Sequence, residues 1–220
     1  MQNKPEYTRT LPHFHRYGAT FFVTFRLFDS LPQEFLENLA AWHESEKQRI
    51  AVETKGEDQE KAKIVLQRDY FRKFDQALDQ CLFGPTFLKE PEAAQKVVEQ
   101  LNRFDGEWYK LLAFTILPNH VHALLDFSIQ LDKSGALDKA TYKNLDYAMG
   151  RIRGASARYV NLVLNRTGNE CWQGEYHDRY IRDSRHLVAA VDYIKQNPVS
   201  ANICNHWLEH PFTWVHEIFW

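Results

Sequence analysis

The sequence predicts an α+β protein: an antiparallel sheet covered by helices, with a helical insertion between the first and second strands. Three observations carry that prediction. Runs rich in β-branched and aromatic residues occupy 20–28 (TFFVTFRLF), 111–117 (LLAFTIL) and 121–127 (VHALLDF). Only Pro118-Asn119-His120 separates the second run from the third, which suits a turn feeding an antiparallel neighbour. Between the first and second runs, residues 33–107 space their apolar side chains at helical intervals.

The first strand follows the segment LPHFHRYG. The 33–107 insertion is rich in Glu, Asp and Lys, and its apolar stripes, Phe35, Leu36 and Leu39, then Leu66, Tyr70, Phe74 and Leu78, mark amphipathic helices with solvated faces. After the hairpin, 126–138 is a connection whose most flexible part is Lys133-Ser134-Gly135. A helix is expected over 143–164, a fourth strand over 175–182 and a last helix over 186–196, ending before Pro198. No repeat or low-complexity tract interrupts the chain, so 1–220 reads as one domain carrying its insertion.

Composition excludes several classes. Six Trp, ten Tyr and fifteen Phe supply too much apolar surface for a disordered chain of 220 residues. No apolar run reaches membrane-spanning length, and the start lacks a signal-peptide layout, so a soluble cytoplasmic protein is expected. Cys81, Cys171 and Cys204 lie far apart without CxxC spacing, which points to reduced thiols. A net charge of −2 argues against a surface that grips duplex nucleic acid all round. Locally the balance reverses: 150–186 carries Arg151, Arg153, Arg158, Arg166, Arg179, Arg182 and Arg185 against Glu170, Glu175, Asp178 and Asp183.

The chemistry concentrates in two stretches. In PNHVHALL, His120 and His122 are two apart on a strand, so both imidazoles leave one face while Val121 and Ala123 leave the other. Neutral imidazoles suit ions such as Mn, Fe or Zn, but two ligands rarely suffice, so a third must come from elsewhere. The pair is expected to be half-exposed and replaceable at a cost below about 1 kcal/mol. In DYIKQNPV, Leu187, Val191 and Ile194 form the apolar stripe of the last helix, and Tyr193 and Asn197 lie on a different face. The Tyr193 phenol is a candidate nucleophile, and Asn197, one turn on, can present an amide oxygen to the same ion.

For nucleic-acid contact the candidates are Arg151, Arg153, Arg158, Arg179 and Arg182 on phosphates, with Trp172 or Tyr176 stacking on unpaired bases unless they belong to the core. His177 and Asp178 are a neighbouring polar pair. His13 and His15 repeat the H-x-H spacing in a weaker setting around Pro12.

PNHVHALL, WQGEYHDRYIRD and DYIKQNPV, in that order, resemble the single-tyrosine transposases of the HUH endonuclease superfamily, and most of all the REP-associated tyrosine transposases. LPHFHRYGATFFVTFRL and RIRGASARYVNLVLNRTG are also similar to that group, so the resemblance touches nearly every part except 33–107. It implies a ferredoxin-like sheet, a divalent metal ion (Mg or Mn) held by His120, His122 and Asn197, and Tyr193 as nucleophile. The implied activity is cleavage and rejoining of single-stranded or hairpin DNA from repetitive palindromic elements, through a 5′-phosphotyrosine. The long insertion departs from the smallest members, and its role is left open between DNA recognition, shielding of the site and extension of the core. Two rivals stand beside this reading: a nucleic-acid-binding module without catalysis, and a zinc hydrolase in which a metal-bound water attacks. Tyr176 and Tyr180 are competing nucleophiles. No feature of the sequence sets an oligomeric state.

Overall fold

The computed structural model describes residues 16–220, together with the backbone of Glu6–Thr8 and Pro12–Phe14. Those two short strands, β1 and β2, pair antiparallel as a separate ribbon. The elements that follow are β3 (Thr20–Arg26), α1 (Gln33–Glu53), α2 (Gly56–Asp79), α3 (Pro91–Asn102), β4 (Lys110–Ile116) and β5 (His120–Asp126). Then come α4 (Leu145–Val163), β6 (His177–Tyr180), α5 (Ser184–Ser200) and β7 (Thr213–Val215). Among the described residues no helix is long and apolar enough to cross a membrane.

The main sheet runs β6-β3-β5-β4-β7 with every neighbouring pair antiparallel. Within it, β3-α3-β4-β5-α4-β6 is a βαββαβ unit of ferredoxin-like type. This is the expected α+β sheet, and β7 extends it at the β4 edge, a strand the sequence did not announce.

Alternation along the strands divides the side chains between two faces. Phe21, Val23, Phe25, Val121, Ala123 and Leu125 face α3 and α4 and form the larger core with Val97, Leu101, Met149 and Ile152. Phe22, Leu112, Ala113 and Leu124 face the other way, against Val191 and Ile194 of α5. Thr24, Arg26, His120 and His122 share that second face by register, with Thr24 opposite His122 and Arg26 opposite His120.

The 33–107 segment divides in two. Its last helix, α3, belongs to the main core, whereas α1 and α2 form a hairpin with a small core of Leu31, Leu39, Phe74 and Leu78. That hairpin covers the polar part of the second face. Phe74 packs on His177 with ring centres 4.0 Å apart, and the Arg26 and Arg179 guanidinium groups lie 5.9 Å and 5.7 Å from the rings of Phe74 and Phe71.

The last helix differs from expectation. It starts where the Asp183 side chain accepts from the His186 amide, and it runs through Pro198 to Ser200. Proline removes one amide donor and disfavours a helical residue before it. Here Asn197 and Pro198 are both buried, and the carbonyls of Asn197, Pro198 and Val199 all accept from the following amides, so packing and capping carry the helix past the usual stop.

Candidate active site

The tight β4–β5 turn sets the first candidate ligand. Leu117 donates its amide to the His120 carbonyl, closing the turn around Pro118 and Asn119. The Asn119 amide nitrogen donates to the Leu78 carbonyl at 3.2 Å, which leaves its Oδ1 to accept from His120 Nδ1 at 2.6 Å. Because Oδ1 only accepts, His120 carries its proton on Nδ1 and turns an Nε2 lone pair outward. His122 Nδ1 lies 2.8 Å from the Thr24 hydroxyl on β3, a contact that serves the same tautomer.

The two Nε2 atoms are 3.0 Å apart. Both residues are fully buried, which corrects the expectation of a half-exposed pair: α2 and α5 cover the sheet where the imidazoles emerge. Burial lowers the His122 pKa to about 4, against the opposing pull of the nearby Asp79 carboxylate, so the ring is neutral at pH 7 and able to act as a ligand.

Asp79, the last residue of α2, closes the set. Its Oδ1 stands 3.3 Å from His120 Nε2 and 3.9 Å from His122 Nε2, and ligand atoms of all three residues fall within 4.8 Å of one another. Burial pushes this carboxyl up, but its close contacts with the His120 and His122 rings outweigh it and hold Asp79 well below the usual carboxylate range. Sequence reading missed Asp79. The signal was an acid at the C-terminal end of a helix with no basic residue in its last turn, where unpaired carbonyls disfavour negative charge. A local rule broken in this way marks functional positions.

Tyr193 and Asn197 reach the same carboxylate from α5. Tyr193 Oη donates to Asp79 Oδ2 at 3.2 Å, and its ring centre is 5.3 Å from that of His122. Asn197 Nδ2 donates to Asp79 Oδ1 at 3.2 Å, while its own Oδ1 is buried without a partner. Burial, then the charges of Asp75 and Asp79, raise the Tyr193 phenol far above its usual range. Two imidazoles, a carboxylate and an orphaned amide oxygen are a donor set that fits a divalent cation. The phenol is inert while it serves as donor to the bare carboxylate.

The other candidates scatter. Tyr176 is buried and donates to Asp146, and Tyr180 lies on the α4 face opposite Phe21, so neither stands beside the histidines. Arg179 is on the site face, opposite Phe22 in register, 3.8 Å from Asp75 and 4.7 Å from the Phe22 ring centre. Asp75 is itself buried, and burial, partly offset by Arg179, pushes its carboxyl up to about 7. Arg182 is exposed just ahead of α5. Arg151 and Arg158 are exposed on α4, across the sheet from the histidines.

Two expectations need correction. Arg153 is not free to track phosphates, since its guanidinium donates to the carbonyls of Gln173 and Gly174 and pins that loop. Trp172 is a core residue: it is buried, donates to the Ser156 hydroxyl at 3.0 Å and meets the Phe25 ring edge-on, so it offers no stacking platform. His177 faces the site side but packs between Phe71 and Phe74. The side chains of His13 and His15 lie outside the described residues.

Fold and site together define a ferredoxin-like α+β protein that brings an H-x-H pair, a carboxylate and a tyrosine together on one face of its sheet. That fold is shared with a REP-associated tyrosine transposase solved bound to a REP hairpin: the TM-score is 0.52 at 13% identity, over 97% of this chain and 91% of that chain. No family model and no curated protein matches the sequence.

Proposed function

We propose that this chain is a metal-dependent DNA nuclease and strand transferase that uses Tyr193 as nucleophile on single-stranded or hairpin DNA of repetitive palindromic elements. The observation that carries the reading is the single carboxylate, Asp79, that meets His120, His122, Tyr193 and Asn197 at once. The shared fold with a transposase solved on a REP hairpin supports the substrate class.

His120, His122 and Asp79 would hold the ion, Mg or Mn, and Asn197 would join them by presenting its unpartnered Oδ1. When bound, such an ion polarises the scissile phosphate and offsets charge that develops in the transition state. With the ion bound, Asp79 would turn from the phenol to the cation and free the Tyr193 hydroxyl. As Tyr193 Oη attacks phosphorus, the phenol proton would pass to solvent, which would return one to the departing 3′ oxygen. The Oη–P bond forms, the P–O3′ bond breaks and the 3′ oxygen leaves with a proton, giving a 5′-phosphotyrosine and a free 3′-hydroxyl. Because the phosphotyrosine conserves the ester, a second 3′-hydroxyl can reverse the step and join strands without a nucleotide cofactor. Arg182 and Arg179 flank the approach to α5 and are assigned to phosphates of the incoming strand.

The test is to incubate the protein with Mn and a hairpin substrate nicked so that religation is blocked, then to map any protein–DNA adduct by mass spectrometry. An adduct on Tyr193, absent from Tyr193→Phe, is expected. Cleavage without an adduct would assign attack to water, and binding without cleavage would leave a recognition module.

A further inference from the structure

On the far side of the molecule, the C-terminal end of α3 and the outer face of α4 enclose a pocket of 310 Å³ lined by Arg103, Phe104, Gly150, Arg151, Gly154 and Arg158, with Ala155 and Tyr159. No acidic residue lines it. Among the described residues none of the three arginines has a carboxylate within ion-pair distance, so the pocket concentrates uncompensated positive charge on a chain whose net charge is −2. Aromatic surface is at hand. Phe104 stacks on Trp108 with ring centres 3.6 Å apart, and Tyr159 is exposed on the opposite wall.

The glycines are the independent observation. Gly150 and Gly154 sit inside α4 without a positive φ, so neither is needed for backbone conformation. A Cβ built on either meets no atom within 4 Å, so neither is needed for packing. Glycine is the poorest helix former after proline, and two of them one turn apart weaken a helix for no internal reason. Their effect is to bare the helix backbone along the floor of the arginine pocket, where a ligand can approach closely.

We infer that this pocket binds the sugar–phosphate backbone of single-stranded DNA, at a segment distinct from the one cleaved. The inference rests on the nuclease reading for its choice of DNA. Arg103, Arg151 and Arg158 take phosphates, the glycine floor admits the strand, and Tyr159 and the Phe104 edge meet unpaired bases, the combination that single-strand sites use. The pocket and Tyr193 lie on opposite faces of the sheet, with α4, about 10 Å in diameter, between the sheet and the pocket floor. A strand that occupies both must pass around the sheet edge, which makes recognition bipartite.

The experiment measures binding of a long, unstructured, labelled oligothymidylate by fluorescence anisotropy at several salt concentrations. All proteins carry Tyr193→Phe, so that no strand is cut. Replacing Arg103, Arg151 and Arg158 together by Ala should raise Kd at least tenfold at low salt and flatten the slope of log affinity against log salt by about 2, at roughly 0.7 per lost phosphate contact. The double variant Gly150→Ala/Gly154→Ala should raise Kd several-fold while raising Tm by roughly 4 °C, because alanine strengthens the helix as its methyl groups fill the floor. Loss of affinity with gain of stability is a pair that a structural role for the glycines would not give. Wild-type affinity in either variant overturns the inference. So does tighter binding of oligouridylate, which would assign the pocket to RNA, or an equal effect of inorganic phosphate alone, which would make it a small-anion site. Failure of the wild-type protein to form an adduct counts against the nuclease reading only, since these titrations involve no cleavage.

Discussion

Tyr193 donates its phenolic hydrogen to Oδ2 of Asp79 at 3.2 Å, although the two residues are 114 positions apart and sit on different helices of one sheet face. The same carboxylate lies against both imidazoles. The proposed nucleophile and the candidate cation site are therefore coupled through one side chain, and each can be perturbed separately.

Removing the hydroxyl alone tests the nucleophile. Tyr193→Phe should keep the fold, at a cost of about 1 kcal/mol for one lost hydrogen bond, and should bind Mn as the wild type does. Adduct formation on hairpin DNA should vanish. Retained adduct would move the nucleophile away from α5.

Removing the ligands tests the cation site. Mn at about a hundredfold excess over its Kd should stabilise the wild-type protein by roughly 2.7 kcal/mol, read as a rise in Tm. That rise should disappear in Asp79→Ala and in His122→Ala. The histidine variant should itself cost roughly 2–3 kcal/mol, since a fully buried side chain is truncated and the Thr24 hydroxyl loses its partner. An unchanged metal-induced shift in Asp79→Ala would remove α2 from the site.

Asn119 touches no candidate ligand position except through His120, and it ties that ring to the end of α2 through the Leu78 carbonyl. Asn119→Ala should weaken Mn binding about 10–100-fold, as losing an orienting partner does. Nuclease activity at saturating Mn should recover to near the wild-type rate. Titrating activity against Mn separates this positioning effect from a catalytic one.

Asp75 makes a prediction about pH. Its carboxyl is raised by burial to about 7, from an ordinary value near 3.8, so between those values the folded protein holds a proton that the unfolded chain releases. Its contribution to stability is full below about pH 4 and is lost as pH rises through 7. Asp75→Asn keeps the shape without the charge, so in metal-free protein its Tm should exceed that of the wild type at pH 8, with the gap narrowing steadily below pH 7 and closing near pH 4. A gap that does not change with pH would show that Arg179, 3.8 Å away, keeps Asp75 ionised throughout.

Much of this was readable along the chain, for a physical reason. Side-chain direction in a strand has period two, so His120 and His122 had to share a face, and the helix period placed Tyr193 and Asn197 one turn apart whatever α5 packed against. The strand runs and the Pro118-Asn119 turn gave the β4–β5 hairpin. The misreadings occurred where local pattern competes with packing. Pro198 reads as a stop but is held in helix by burial. Trp172 and Arg153 resemble DNA contacts in composition, yet one fills the core and the other clamps a loop.

The sequence by itself determined the sheet-and-helix class, the convergence of the imidazoles and the one-turn spacing of Tyr193 and Asn197, because each depends on residues within a few positions of one another. Only the tertiary structure decided that Asp79 completes the cluster, that the α1–α2 hairpin buries it, and that Arg151 and Arg158 face away from it. Those relationships join residues tens of positions apart across two faces of one sheet. They are set by which helix covers which apolar surface, a choice of packing that no local periodicity encodes.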